Sequence, residues 1–115
     1  MYGDGGVASA GVRSIMPMSR PTKLELPDVN AWLIAHPEWT FEAGRELVRA
    51  FVFPDFASAL AFVLRVGIEA EKKDHHPDIE LGWGRARVLW STHDAGGVTS
   101  LDLELATLTD SFARA

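Results

Sequence analysis

The spacing of apolar residues changes along this chain, and each change marks an element. From Pro27 the period is helical: Val29, Trp32 and Leu33 share one face, and Pro27 suits a first helical turn. His36-Pro37 ends this helix, because a residue before proline is pushed out of the α region. Trp39–Phe41 and Glu46–Phe53 follow, rich in aromatic and β-branched residues, with Gly44 between them, and predict a hairpin. Pro54-Asp55 breaks off the hairpin, and Asp55 is placed to cap the longest helix. In that helix Phe56, Ala59, Leu60, Val63, Gly67 and Ala70 recur at three and four residues and predict the buried face. Phe62, Val66 and Ile68 form a second apolar flank, which predicts a subunit contact. Pro77 requires the helix to stop by His76. A second hairpin is predicted over Ile79–Trp83 and Arg87–Ser91, turning at Gly84. Thr99-Ser100-Leu101-Asp102 has the spacing of a capping box before a final helix. The order is therefore α-β-β-α-β-β-α. It predicts an α+β fold, an antiparallel four-stranded sheet with helices packed on one face.

The first twenty residues differ from the rest. Gly3, Gly5, Gly6 and Gly11 are mixed with Ala and Ser without a sustained period. This predicts a flexible N-terminal extension over 1–20 and one domain over 21–115. A domain in a chain of 115 residues has a thin core, for which oligomerisation is a common remedy. The composition, 47% hydrophobic and 23% charged, is that of a globular protein. A net charge of -5 argues against nucleic acid as the main partner, since phosphate binding needs a basic surface. The longest apolar stretch, Phe56 to Ile68, is interrupted by Arg65 and is too short to span a membrane. With no cysteine, disulfides, thiolate nucleophiles and cysteine-ligated zinc are excluded. That composition suits a reducing compartment, and the N-terminus lacks the pattern of a signal peptide. The expected location is cytoplasmic.

Candidate chemistry lies in the histidines. His75-His76-Pro77 ends the long helix, and His93 follows a predicted strand and precedes a glycine turn. Histidine titrates near neutral pH and serves as acid or base. Seen in isolation, the pair reads more simply as two exposed residues interacting with the helix dipole, and His93 as a loop residue bonded to its own turn. Asp102 either caps the final helix or orients an imidazole. Glu71, four residues before His75, either tunes that histidine or is a solvated carboxylate, and the solvated reading is preferred. Trp83 and Trp90 read as sheet packing, although a flat heterocycle can stack on either. A zinc site of His75, His76 and His93 has poor ligand spacing. A phosphate loop at Gly96-Gly97 lacks the lysine and glycine spacing of known cradles.

These residues together resemble a known family. Glu71, three residues, His75-His76-Pro77, five residues, Trp83, nine residues, His93, eight residues and Asp102 looks like the signature of the pterin-4a-carbinolamine dehydratases. The words AEKKDHHPDI and STHDAGGVTSLD agree with it, and RAFVFPDFASALAFVLRVGIEAE resembles the family's second strand and long helix. The resemblance covers about Glu38 to Asp110. It implies dimers that extend the sheet, often paired into tetramers through the long helix. It implies dehydration of 4a-hydroxytetrahydropterin to quinonoid dihydropterin in tetrahydrobiopterin recycling. The resemblance makes His75 and His93 the acid-base pair, with the assignment of acid and base left open. His76 would bind and orient the pterin, with Glu71, Pro77, Trp83 and Asp102 in binding or orienting roles. No metal is implied, and no nicotinamide or flavin, since no redox change occurs. Ile79 departs from the family, in which many members carry an aromatic residue after His-His-Pro. Some relatives act instead as dimerisation or assembly cofactors, which is the alternative reading.

Overall fold

The computed structural model describes residues 21–114. The extension expected over 1–20 lies outside the described residues. Among the described residues the elements are α1 (Leu26–Ala35), β1 (Thr40–Glu42), β2 (Glu46–Val52), α2 (Phe56–Lys73), β3 (Asp78–Gly82), β4 (Arg85–Trp90) and α3 (Ser100–Arg114), with a 3-10 turn over His93–Ala95. The strands form one antiparallel sheet in the order β1-β2-β4-β3. The α+β order read from the periodicity is the observed one.

Register decides which side of the sheet carries the core. Leu47 pairs with Trp90, Arg49 with Val88 and Phe51 with Ala86, so these six share a face. All but Arg49 are buried there beneath the helices. The opposite face carries exposed Val52 and an ion-paired row in which Arg87 meets both Glu80 (2.9 Å) and Glu42 (3.3 Å). Phe62 of α2 fills the space between Phe51 and Phe53, with ring centroids 4.7 and 5.0 Å away. Full burial of a phenylalanine stabilises the fold by about 1.5–3 kcal/mol. Trp39 and Arg49 both reach Asp110 near the end of α3. The indole N–H donates to the carboxylate at 3.0 and 3.1 Å, and the guanidinium donates at 2.8 Å.

Local signals explain the element ends. Pro27 lies in the first turn of α1, and His36 closes that helix by stacking on Trp32 and donating from Nδ1 to its carbonyl at 2.8 Å. Asp55 caps α2 by accepting from the Ser58 N–H at 2.8 Å. The first hairpin turns through Ala43 and Gly44, both at positive φ (55° and 67°). In the second, Gly84 has φ 71°, and a Cβ there would stand 3.1 Å from the Phe53 carbonyl oxygen, which backs that turn. Only glycine fits that position without strain.

Two expectations require correction. The first is the buried face of α2. Ala59, Phe62, Val66 and Ala70 face the core, whereas Phe56, Leu60, Leu64 and Ile68 are exposed and Gly67 is open to solvent. Thus Phe62 and Val66 belong to the core, and Phe56 and Leu60 to the outer stripe. Both stripes are apolar at helical spacing, so the sequence pattern alone does not choose between them. The second is the boundary of the later hairpin. Arg85 already pairs with Gly82, so Trp83 stands in the turn and not on a strand.

Candidate active site

The chain turns sharply after Lys73. Asp74 adopts the left-handed conformation (φ 51°), its N–H returns to the Glu71 carbonyl, and the next N–H, of His75, returns to that of Ala70. These two bonds make a Schellman-type ending, usually occupied by glycine. The turn fixes the backbone of His75 and sends its side chain inward. Pro77 keeps His76 out of the helix, and the adjacent imidazoles take different settings. The His75 side chain is 12% exposed and that of His76 is 55% exposed.

His75 is held on two sides. Its Nε2 lies 2.6 Å from Oδ1 of the fully buried Asp102, and its ring stacks on Trp90 at 5.8 Å and 10°. Trp90 in turn donates from Nε1 to Thr109 Oγ1 at 3.1 Å. Asp102 also makes the capping contact suggested by its spacing, since Oδ2 accepts from the Thr99 N–H at 2.8 Å. Asp102 thus bonds the start of α3 and the imidazole through different oxygens. His76 instead meets Glu71, at 2.8 Å on the surface. Glu71 thus pairs with the second histidine of the motif rather than with His75, four residues on.

His93 comes from a separate loop. That loop is closed by the Thr92 N–H donating to Gly97 O at 2.8 Å and the Gly96 N–H to Thr92 O at 3.0 Å. His75, His76 and His93 line one cleft of about 800 Å³, together with Lys73, Thr92 and Leu101. That volume lies within the usual range for a small-molecule site. Two imidazoles from one turn and one from another thereby face the same space, a usable arrangement for passing protons at two ends of one ligand.

Trp83 is not brought to this cleft. It is 73% exposed in the β3–β4 turn, at the far end of a strand whose five residues span ~16 Å at 3.3 Å per residue. Pro77 acts through the chain path and does not line the cleft. The tryptophan in contact with a cleft histidine is Trp90, whose stacking on His75 the alternation of the strand did not reveal. Lys73 and Thr92 were likewise missed, and adjacency to the histidines in sequence was their only signal. Among the described residues no group of three or more His, Cys, Asp or Glu side chains is arranged to hold a metal ion. Among the same residues no helix is long and apolar enough to cross a membrane.

Comparison with known proteins extends this picture. The family model described as pterin 4 alpha carbinolamine dehydratase matches residues 22–112. A protein of Rhizorhabdus wittichii is 44% identical over 82 residues, covering 70% of this chain and 84% of its own. One of Rhodospirillum rubrum is 40% identical over 89 residues, covering 76% and 93%. Both are provisionally named pterin-4-alpha-carbinolamine dehydratases. A crystal structure of a transcriptional coactivator/pterin dehydratase from Brucella melitensis superposes with TM-score 0.76 at 34% identity, covering 80% of this chain and 99% of that one. A pterin dehydratase-like protein identified as a RuBisCO assembly factor in the alpha-carboxysome shares the fold, with TM-score 0.57 at 20% identity over 66% of this chain and 89% of that one. The match to the family model takes in both histidine turns and every element from α1 into α3, and on that ground the chain belongs to the pterin-4a-carbinolamine dehydratase family.

Proposed function

We propose that the chain dehydrates a 4a-hydroxytetrahydropterin to a quinonoid dihydropterin, with His75 and His93 as the acid-base pair and His76 as a binding group. The observation that carries this reading is the meeting of three imidazoles from two separate turns in one cleft, one of them backed by a buried carboxylate. In the reaction the C–O bond at the bridge carbon breaks. The departing hydroxyl takes a proton and leaves as water. A ring nitrogen gives up its proton, and the N–H electrons form the new C=N bond. Imidazole is the side chain most often used to give and take protons in catalysis, and two of them can serve the two transfers. Such catalysis supplies about 10²–10⁴ in rate. The absence of cysteine and of a long apolar helix among the described residues fits a reaction in the cytoplasm.

The test is the rate of dehydration of 4a-hydroxytetrahydropterin generated in place, with and without a reductase that consumes the product. An acceleration over the uncatalysed reaction that scales with protein concentration supports the reading. No acceleration by a folded protein ends it.

A second reading has its own observation. Phe56, Leu60, Leu64 and Ile68 form an exposed stripe along α2, which suits a contact with another chain. A homodimer or homotetramer is expected in either reading; in the second, the protein is a dimerisation or assembly cofactor that does not use its histidines. A wild type that assembles with a partner chain but does not accelerate dehydration would favour it.

A further inference from the structure

The hydrogen bonds around Asp102 have a direction, and the direction selects one nitrogen of His75. Oδ2 accepts from the Thr99 N–H (2.8 Å), which can only donate, and from the Thr92 hydroxyl (2.6 Å). The Thr99 hydroxyl lies 3.3 Å from the same oxygen and 3.0 Å from Thr92 Oγ1. Each hydroxyl has one hydrogen. With the Thr92 hydrogen spent on Asp102, that of Thr99 bonds either to Thr92 or to the carboxylate. Both threonines are thus aligned as donors around Oδ2, and Oδ1 is left to His75 Nε2 at 2.6 Å. A carboxylate so surrounded accepts, so the hydrogen of the short contact sits on Nε2. The ring nitrogen that remains is Nδ1. Trp90 lies parallel to one face of the ring and limits its rotation.

We propose that Thr92 and Thr99 are positioning residues. By holding Oδ2 of Asp102 they fix His75 as the Nε2–H tautomer, so that Nδ1 is the nitrogen that exchanges a proton with the ligand. This deepens the dehydratase reading and, for its kinetic part, rests on it. Thr92 precedes His93, so one backbone segment supplies a histidine of the cleft and the hydroxyl that orders the other histidine's partner. Such outer hydrogen bonds commonly set which imidazole nitrogen is reactive.

The experiment has a spectroscopic arm and a kinetic arm. Protein labelled with ¹⁵N-histidine is observed by long-range ¹H–¹⁵N NMR, without substrate, at a pH where the ring is neutral. The wild type should show a protonated Nε2 and a bare Nδ1 for His75. In Thr92→Val the resonances should move toward a mixture of tautomers, and Thr92→Ser should restore them. In turnover, Thr92→Val should lower kcat about tenfold with little change in KM, as loss of one hydrogen bond to a charged group implies. Adding Thr92→Val to His75→Gln should cost nothing further, because the hydroxyl acts through the imidazole. A structural role alone would lower both backgrounds equally. A wild type with the proton on Nδ1 overturns the inference. So does a Thr92→Val variant with unchanged tautomer and unchanged kcat. If the wild type does not dehydrate the pterin at all, the dehydratase reading fails by itself. The tautomer arm then still decides whether the threonines order His75.

Discussion

The rings of His75 and Trp90 lie nearly parallel, 5.8 Å apart at the centroids. This contact makes His75 a half-buried residue with packing of its own, unlike the loop histidine that its place before His76-Pro77 suggests. The two neighbouring histidines therefore differ in what their removal should do.

His75→Ala and His93→Ala should each lower kcat by about 10²–10⁴, the usual contribution of a proton-transfer group. His76→Ala should act mainly on KM, as loss of uniform binding does. The double change at His75 and His93 should cost far less than the product of the single losses. His75→Ala should also destabilise by about 1–3 kcal/mol, because it leaves Oδ1 of buried Asp102 without a donor. Initial rates with thermal melts as a folding control check all four. Wild-type kcat/KM in both His75→Ala and His93→Ala would falsify the catalytic reading.

Chelation should leave turnover unchanged, since the proposed transfers use imidazoles alone. Rates before and after exhaustive treatment with a chelator decide this. Loss of activity that zinc restores would favour a metal-dependent reaction instead.

The exposed stripe of α2 should be where copies of the chain meet. Leu64, 57% exposed, gives the clean test: Leu64→Asp should shift light scattering toward a smaller species while circular dichroism stays unchanged. Val66, on the flank first expected to make the contact, is 1% exposed and packs in the core. A charge at Val66 should unfold the protein rather than dissociate it. A wild type that is monomeric at micromolar concentration removes the assembly expectation.

The Ser58 N–H, and after it the Ser58 hydroxyl, hold the Asp55 carboxyl below its ordinary value of 3.8. The cap's charge-dependent contribution is therefore complete above that value and is lost as pH falls through the lower, folded one. Asp55→Asn can accept the same N–H bond without titrating. Melting temperatures of the two proteins should differ by a constant at neutral pH and converge in acid. Parallel curves throughout would remove Asp55 from the acid response.

The features legible in the sequence were those with local causes. Pro37 ends α1 by sterics, Pro77 bars α2 from running past His76, Asp55 and Thr99-x-x-Asp102 announce starts, and Gly44 and Gly84 mark turns. Each acts within a few residues, so spacing exposes it. The histidine motif carried the family for the same reason. The rest depends on what lies opposite. Two apolar stripes on α2 were equivalent until the sheet chose Phe62 and Val66. Trp83 and Trp90 were both tryptophans near strands until pairing put one in a turn and the other under His75. The Asp74 turn had no glycine to mark it. The hydroxyl of Thr92 has meaning only once Asp102 is brought beside it from ten residues away.

The bond between Trp39 and Asp110 spans 71 residues, and Arg49 joins the same carboxylate across 61. Contacts so distant in the chain carry a loop-closure cost and are not built up residue by residue. All depend on α3, the helix that also brings Asp102 to His75. Without α3 the core loses Leu105 and Ala106, and His75 loses its carboxylate partner. Docking of this helix therefore both closes the core and brings Asp102 to the cleft. Hydrogen-exchange protection of α3 should rise together with the appearance of the His75 tautomer during refolding.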